Sequence, residues 1–443
     1  LLTVTLGVVL ASGLLAGAGV RAAAPPAITF GEALAVSAPD GRAMAPDIAV
    51  GADGVVHVLW VDKAPPPPAD AAPAAGTTGG PGHAATDQLW YRRSAGPATG
   101  GRIAGFAEPV RVNSRDGEVW GFAVSKPEMD LDGRGNVHVL FPANDVQAGS
   151  GKGLLVARYT RSTDGGRSFE QGRTLNSPAT NDLSAVMHGG FAAAHAFGTL
   201  IASGDDVQAF WIDTRAMTEK DTAGAAWRAV SRDGGRSFAA DRIAYATEVC
   251  PCCQLAAATV GKGVLLASRM TYPGGHRDSA VGRSPAPGAA FGERVRVGEG
   301  QWQIDGCPLK RTAIAAAGDN VYTAAYTGGR DPAGVYFSRS TDGGRSFGPP
   351  LLLHPGAAVS DAPTLAAMAE GTVFVAWHGK TSGGRRIFLR ASTDGGVTFS
   401  PVTELPAPAG TAAYPELAAA PDGSAWLAWQ QEQVAYVVRV TAR

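Results

Sequence analysis

One eight-residue pattern limits what this chain can become. Ser-x-Asp-x-Gly-x-x-Phe occurs at 162–169, 231–238, 340–347 and 392–399. A fifth copy, at 284–291, keeps Ser, Gly and Phe but has Ala286 in place of the aspartate. The chemistry suits a hairpin turn. The carboxylates of Asp164, Asp233, Asp342 and Asp394 can accept backbone N–H bonds within the turn, and glycine supplies a positive φ. Each Phe then re-enters the core as the next strand begins.

Around each turn lies a longer unit. Asp47-Ile48-Ala49-Val50 leads through Asp53-Gly54 into Val56-His57-Val58-Leu59-Trp60, and the plan recurs with strands ending at Phe141, Trp211, Tyr326, Trp377 and Trp429. A degenerate copy runs over 255–268. A third strand precedes each turn, as in Val335-Tyr336-Phe337-Ser338-Arg339, and a fourth follows it. Phe106, Phe169, Phe238, Phe291, Phe347 and Phe399 recur at intervals of 52 to 69 residues. Four strands per period predict an all-β fold, a β-propeller of four-stranded blades. Seven units are counted, with six as the alternative. The seventh stops one strand short, and residues 28–36 resemble the strand it lacks. A ring closed by this N-terminal strand would leave no free sheet edge. Residues 25–443 then form one domain, with a disordered loop insertion expected at the Pro-, Ala- and Gly-rich stretch 64–86.

Lys plus Arg number 38 against 39 Asp plus Glu. That near balance excludes a chain-wide basic footprint, and no nucleic-acid partner is expected. Residues 1–20 are almost wholly apolar and lead to Arg21-Ala22-Ala23-Ala24. They read as a secretory signal or, alternatively, a retained membrane anchor. The chain is therefore expected to be exported, periplasmic or extracellular, and monomeric. Any membrane contact would run through an uncleaved residue 1–24 segment.

The repeated turns resemble the Asp-box (BNR) repeats of the sialidase superfamily, and the resemblance covers most of the chain. It implies a ligand site at the channel mouth opposite the turns. In that family an arginine triad, an acid/base Asp and a Tyr–Glu nucleophile pair do the work on six blades. The family's Phe-Arg-Ile-Pro motif does not occur here. Ala413-Tyr414-Pro415-Glu416-Leu417-Ala418 does match the context of the nucleophile. Carried over, the resemblance implies Tyr414 as nucleophile, Glu416 or Glu128 as its base and Asp47 as acid. Arg215, Arg269 and Arg330 would form the carboxylate clamp.

The loops assigned to that mouth add Arg277, Asp213, Asp361 and His188 as ligand-binding candidates. Convergent guanidinium groups suit a carboxylate or sulfate, and Asp213 with Asp361 could flank a glycosidic bond. His276, His354 and His378 are also placed in loops. His57 and His138 sit at one repeated position and read as packing residues.

Four cysteines complete the inventory. Val249-Cys250-Pro251-Cys252-Cys253-Gln254 and Gly306-Cys307-Pro308 each enter the inner strand of neighbouring units. Disulfides suit an exported protein, Cys307 pairing with one of the other three. A four-thiolate Zn or Cu(I) site is the second reading. A redox pair, Cys250 with Cys253, is the third. Without such a metal no cofactor is expected. The functional expectation is a sialidase-like exported propeller that binds a glycan or another anionic ligand, with glycoside hydrolysis as its possible chemistry. The rival is a non-catalytic cell-envelope interaction or metal and redox module centred on the cysteines.

Overall fold

The computed structural model describes residues 25–64, 87–98, 101–146, 153–177, 195–215, 217, 223–298, 300–357 and 359–443. The expected export segment, residues 65–86 of the loop insertion and His188 lie outside them. The described residues are all-β, apart from one 3₁₀ turn at Pro273–Gly275. None of their helices is long and apolar enough to cross a membrane.

The strands pair as antiparallel four-stranded meanders, the connection favoured where short turns join neighbours. Unit 1 is Ala43–Val50, Val56–Asp62, Gln88–Arg93 and Val110–Arg111. Units 2, 5 and 6 repeat this order, beginning at Glu128–Leu131, Thr312–Ala317 and Ser360–Ala367. Two further meanders begin at His195–Ser203 and Ala256–Val260. They share one eight-stranded sheet through a single pair, Val249 with Met270. The last meander begins at Ala412–Ala419 and holds three strands of its own. Its outer strand, Val434–Ala442, pairs antiparallel with the N-terminal Ile28–Phe30 and with Leu34–Ala35. The first strand of every unit touches the first strand of the next, and Ala412–Ala419 touches Ala43–Val50. These inner strands line a channel, and the architecture is a β-propeller.

The repeated turns show why their residues recur. In the 162–169 turn, Asp164 Oδ1 accepts from the backbone N–H groups of Arg167 at 2.9 Å and Ser168 at 3.0 Å. Its Oδ2 accepts from the Ser168 hydroxyl at 2.6 Å, and Ser162 Oγ accepts from Gly166 N–H at 2.8 Å. Asp233, Asp342 and Asp394 repeat this scheme. In the 284–291 copy the Ser284 hydroxyl donates instead to the carbonyls of Ala286 and Ala289.

Each turn also docks on the preceding unit. Phe169 meets Tyr91 edge-on at 5.2 Å, Phe238 meets Tyr159 at 4.8 Å, and Phe399 meets Phe337 at 4.9 Å. Those tyrosines are held by buried histidines, His57 Nδ1 to Tyr91 Oη at 2.6 Å and His138 Nδ1 to Tyr159 Oη at 2.7 Å. Burial pushes both imidazoles down to about 4, so they stay neutral. The arginine before the turn serine reaches the next turn as well. Arg161 donates to Gly234 O, and Arg339 Nη1 to Gly395 O at 3.1 Å.

Two predictions follow from these turns. Gly235 has φ +80°, and an added Cβ would stand 1.9 Å from Tyr159 Oη. Gly204 has φ +59° with open space around it. Gly204→Ala should cost only the left-handed backbone penalty of about 1–2 kcal/mol, and Gly235→Ala at least about 3 kcal/mol once overpacking is added; urea denaturation measures both. In the second, burial opposes ionisation of Asp394, but hydrogen bonds from Thr398, Ser392 and Val397 outweigh it and hold the carboxyl at about 2. A depressed carboxylate stabilises the fold above its unfolded pKa and loses that contribution as pH falls through the folded one. Melting temperatures should therefore show wild type above Asp394→Asn at pH 6, with the gap shrinking below pH 4 and closing near pH 2.

Candidate functional site

Where the inner strands begin, the chain repeats a short device. Ala45-Pro46-Asp47, Ala362-Pro363-Thr364 and Tyr414-Pro415-Glu416 each place a left-handed residue before proline, with φ of 49°, 47° and 53°. The strand register slips there, between Met44 and Asp47, Asp361 and Thr364, and Ala413 and Glu416. Such bulges re-aim side chains. Here they turn Asp47, Thr364 and Glu416 towards the channel. Lys126-Pro127-Glu128 occupies the corresponding place in unit 2.

The result is a buried ionic cluster. Lys126 Nζ lies 2.9 Å from Asp47, 2.8 Å from Glu128 and 3.6 Å from Glu416. Arg311 donates to Glu416 at 2.7 Å and lies 3.8 Å from Glu128. Thr364 Oγ donates to Glu416 at 3.2 Å, Met129 N–H to Asp47 at 2.7 Å, and Gln254 Nε2 to Glu128 at 3.0 Å. Burial alone would strip the Lys126 proton, but the three carboxylates together hold the ammonium charged. Glu128 goes the other way. Burial raises its carboxyl to about 7 despite the pull of Lys126. Three carboxylates face two cations, so the spare charge is relieved by a proton near neutrality. Asp130, one turn of the strand pleat further along, is likewise raised to about 7 by burial, against hydrogen bonds from Ala202 and Leu131.

A cavity of about 740 Å³ runs down the channel from this cluster. Asp47, Glu128, Arg311 and Glu416 stand at one end, and Asp206 and Lys262, at the turns joining first to second strands, at the other. In an antiparallel meander those turns share an edge with the third-to-fourth turns. The cavity therefore extends from the cluster towards the face carrying the repeated Ser-x-Asp-x-Gly turns.

The opposite mouth holds a second polar group. Tyr414 packs edge-on against His378 at 5.2 Å, and its backbone N–H donates to His378 Nδ1 at 3.1 Å. Burial pushes the Tyr414 phenol up and His378 down to about 4. Asp361 pairs with Lys310, whose ammonium lies 5.0 Å from the Tyr326 ring centre. His378 belongs to the strand Val373–Thr381 and is buried, not in a loop as the spacing suggested, and His276 opens the strand His276–Ser284.

The fold thus joins Asp47, Glu128 and Glu416 in one cluster, while Tyr414 rests on His378 beside it. Separate partners hold the expected clamp arginines. Arg215 is tied to Asp213 at 2.6 Å and Asp241 at 2.8 Å, and stacks on Trp227. Asp213 is itself fully buried and also accepts from His195 at 2.8 Å and Trp211 at 3.1 Å. Burial opposes its charge, but these bonds win and keep it at about 2. Arg269, 1% exposed, donates to the carbonyls of Lys310, Arg277 and Tyr326. Arg330 lies over Tyr336, and its Nε has no hydrogen-bond partner; nor do Nε and Nη1 of Arg277.

Sequence reasoning missed Lys126, Gln254 and Asp130. The repeated x-Pro-polar tripeptide at strand entry was the available signal, since Lys126-Pro127-Glu128 stands in line with the other three.

The cysteines converge at the same end. Cys250 Sγ lies 3.5 Å from Cys253 Sγ and 3.9 Å from Cys252 Sγ. All three are buried, Cys307 is exposed, and none of the four is in a disulfide. The expected S–S bonds are therefore not formed in this structure.

No family model matches the chain, and no curated protein does. Solved structures do. A polysaccharide lyase, ulvan lyase bound to -[GlcA(1-4)Rha3S]-, matches at TM-score 0.51 and 14% identity over 92% of this chain and 93% of its own. An α-L-arabinofuranosidase from Fusarium graminearum matches at TM-score 0.51 and 11% identity, covering 93% and 98%. A microbial sialidase matches at TM-score 0.48 and 12% identity, covering 93% and 96%. At these identities the likeness to the lyase and the arabinofuranosidase is one of fold.

Removing the hub of the cluster tests its electrostatics. Lys126→Met leaves three buried carboxylates facing Arg311 alone and should cost about 3–5 kcal/mol at pH 7. The loss should be smaller at pH 5, where the carboxylates can take up protons, and chemical denaturation at the two pH values checks this.

Proposed function

We propose that this chain is an exported, seven-bladed, carbohydrate-active propeller of the sialidase-like Asp-box type. In this reading the N-terminal strand completes the last blade and closes the ring. The protein binds a glycan or another anionic ligand at the channel. The observation that carries the proposal is the buried cluster of Asp47, Lys126, Glu128, Arg311 and Glu416 at the channel end. Burying five ionisable groups costs free energy that apolar residues of the same size would not. Such clusters of perturbed groups gather where function needs them.

The chemistry available there suits sugars. Carboxylates accept hydroxyl hydrogen bonds, and Arg311 in the cluster, with Lys310 at the adjoining mouth, can face a uronate, sulfate or sialate. Glu128 keeps a proton near neutral pH, as a general acid must. Asp47 and Glu416 beside it would stabilise positive charge developing on a sugar ring. Tyr414, next to the cluster in sequence and seated on His378, is the nucleophile in the hydrolytic form of the proposal.

Isothermal titration against neutral, uronate-, sulfate- and sialate-bearing oligosaccharides is the test. An acidic oligosaccharide should bind, and Lys310→Ala should weaken it about 10-fold, worth about 1.4 kcal/mol. If an aryl glycoside of the bound sugar is cleaved, Tyr414→Phe should lower kcat by at least about 100-fold. Failure of the whole panel to bind at millimolar concentration would sink the proposal.

A further inference from the structure

We infer that Cys250, Cys252 and Cys253 form a three-thiolate site for a soft monovalent metal ion, Cu(I), with Cys307 as an outlying fourth thiol.

Geometry comes first. A disulfide requires sulfurs about 2.05 Å apart. Sulfurs sharing one metal at the usual bond length of about 2.3 Å stand about 3.8–4.0 Å apart. Of the separations here, 3.9 Å falls at the metal-sharing distance and 3.5 Å a few tenths of an ångström inside it, both far beyond a disulfide, and all three sulfurs lie within 4.8 Å of one another. Three thiols drawn to one point, unbonded, already have the spacing of a ligand set.

The loop is held in that shape by groups outside it. Cys250 N–H donates to Arg269 O at 2.9 Å, which pins the first ligand to the neighbouring strand. Lys310 N–H points at Cys253 Sγ at 3.4 Å, the kind of outer bond that steadies a thiolate ligand. Gln254, directly after Cys253, is fixed by its side-chain bonds to Lys126 O at 3.1 Å and Gly198 O at 3.0 Å. Arg269, clamped by three carbonyls, places its fixed positive charge where it acts on Cys250 and Cys253. A metal-thiolate set of net negative charge needs such a counter-charge.

The surroundings decide the metal. The three cysteines are 1%, 7% and 1% exposed and pack in one cluster with Trp120, Phe197 and Met270, with Phe122 and Leu309 beside it. A dry, all-sulfur pocket excludes the hard oxygen-seeking ions and selects Cu(I) or Zn. Structural zinc takes four ligands in a closed tetrahedron. Here only the three buried thiols lie mutually within 4.8 Å, while Cys307 is exposed and outside that set. Three buried sulfurs fit a three-coordinate Cu(I) ion, and Cys307 lies where an incoming or departing ion would first be met. Binding displaces the thiol protons into solvent and changes no oxidation state.

The test uses the whole reduced chain under anaerobic conditions, titrated with Cu(I) in competition with a chromophoric Cu(I) chelator. One Cu(I) per chain should be retained, and X-ray absorption should count three sulfur ligands. Cys252→Ser should weaken retention by at least about 100-fold, and Cys307→Ser by less than about 10-fold, the range of an outer group. Far-UV circular dichroism of both variants confirms that they fold, and the wild-type titration and absorption data stand without them. Three results would overturn the inference. The reduced chain could keep no Cu(I) against the chelator. Protein from an oxidising compartment could carry a disulfide among the three cysteines and no metal. It could also hold zinc that is lost on Cys307→Ser, which would make the site a closed four-thiolate one. None of these outcomes bears on oligosaccharide binding, so the two proposals fail independently.

Discussion

Each repeated turn is pressed against an aromatic or leucine side chain of the unit before it, and the fit needs a glycine hydrogen at the point of contact. Gly166 stands over Tyr91, Gly235 over Tyr159, Gly344 over Leu265 and Gly396 over Phe337. The same glycines have φ near +80°, which the turn requires. One residue thus answers two demands, backbone conformation and inter-unit distance. Four neighbouring pairs of units meet through it, where the meanders otherwise meet through side chains with little backbone pairing between them. The Asp carboxylate keeps the turn rigid enough to transmit that contact.

Units packed in this way leave their inner strands around a channel, and the bulges at their entry choose what faces it. A regular strand would alternate its side chains strictly between faces. The slip between Asp361 and Thr364, and its counterparts, breaks that alternation at one level of the channel. Polar residues from separate units then meet across the axis. Lys126 satisfies three carboxylates that are 79, 2 and 290 residues away in sequence. The cost of concentrating charge there is borne by the packing of the units. Gln254 ties the cysteine loop to Glu128 and Gly198, so the ionic cluster and the thiols are parts of one hydrogen-bonded structure.

The repeat made the all-β class and the four-stranded unit legible, since a turn motif with a fixed period carries local information only. It also located the residues at strand entry, including Asp47, Glu128 and Glu416. Partner choice was not legible. Arg215 and Asp213 are two residues apart and bind each other, where the loop assignment had offered both to a ligand. Arg269 lies in a strand with its guanidinium spent on three carbonyls. The spacing puts His378 in a loop, but its strand continues beyond Trp377 to Thr381.

What the sequence determined by itself is therefore what short-range physics controls: the glycine and aspartate turns, the strand period, the apolar alternation and the proximity of Cys250, Cys252 and Cys253 along one loop. Only the tertiary structure decided which charges meet. Lys126 reads as a surface residue in any local window, and it becomes the centre of the channel because the packing of the units brings distant strand entries to one axis. The spacing of the three sulfurs was decided there too, since Arg269 and Lys310, from neighbouring segments, hold the loop that carries them.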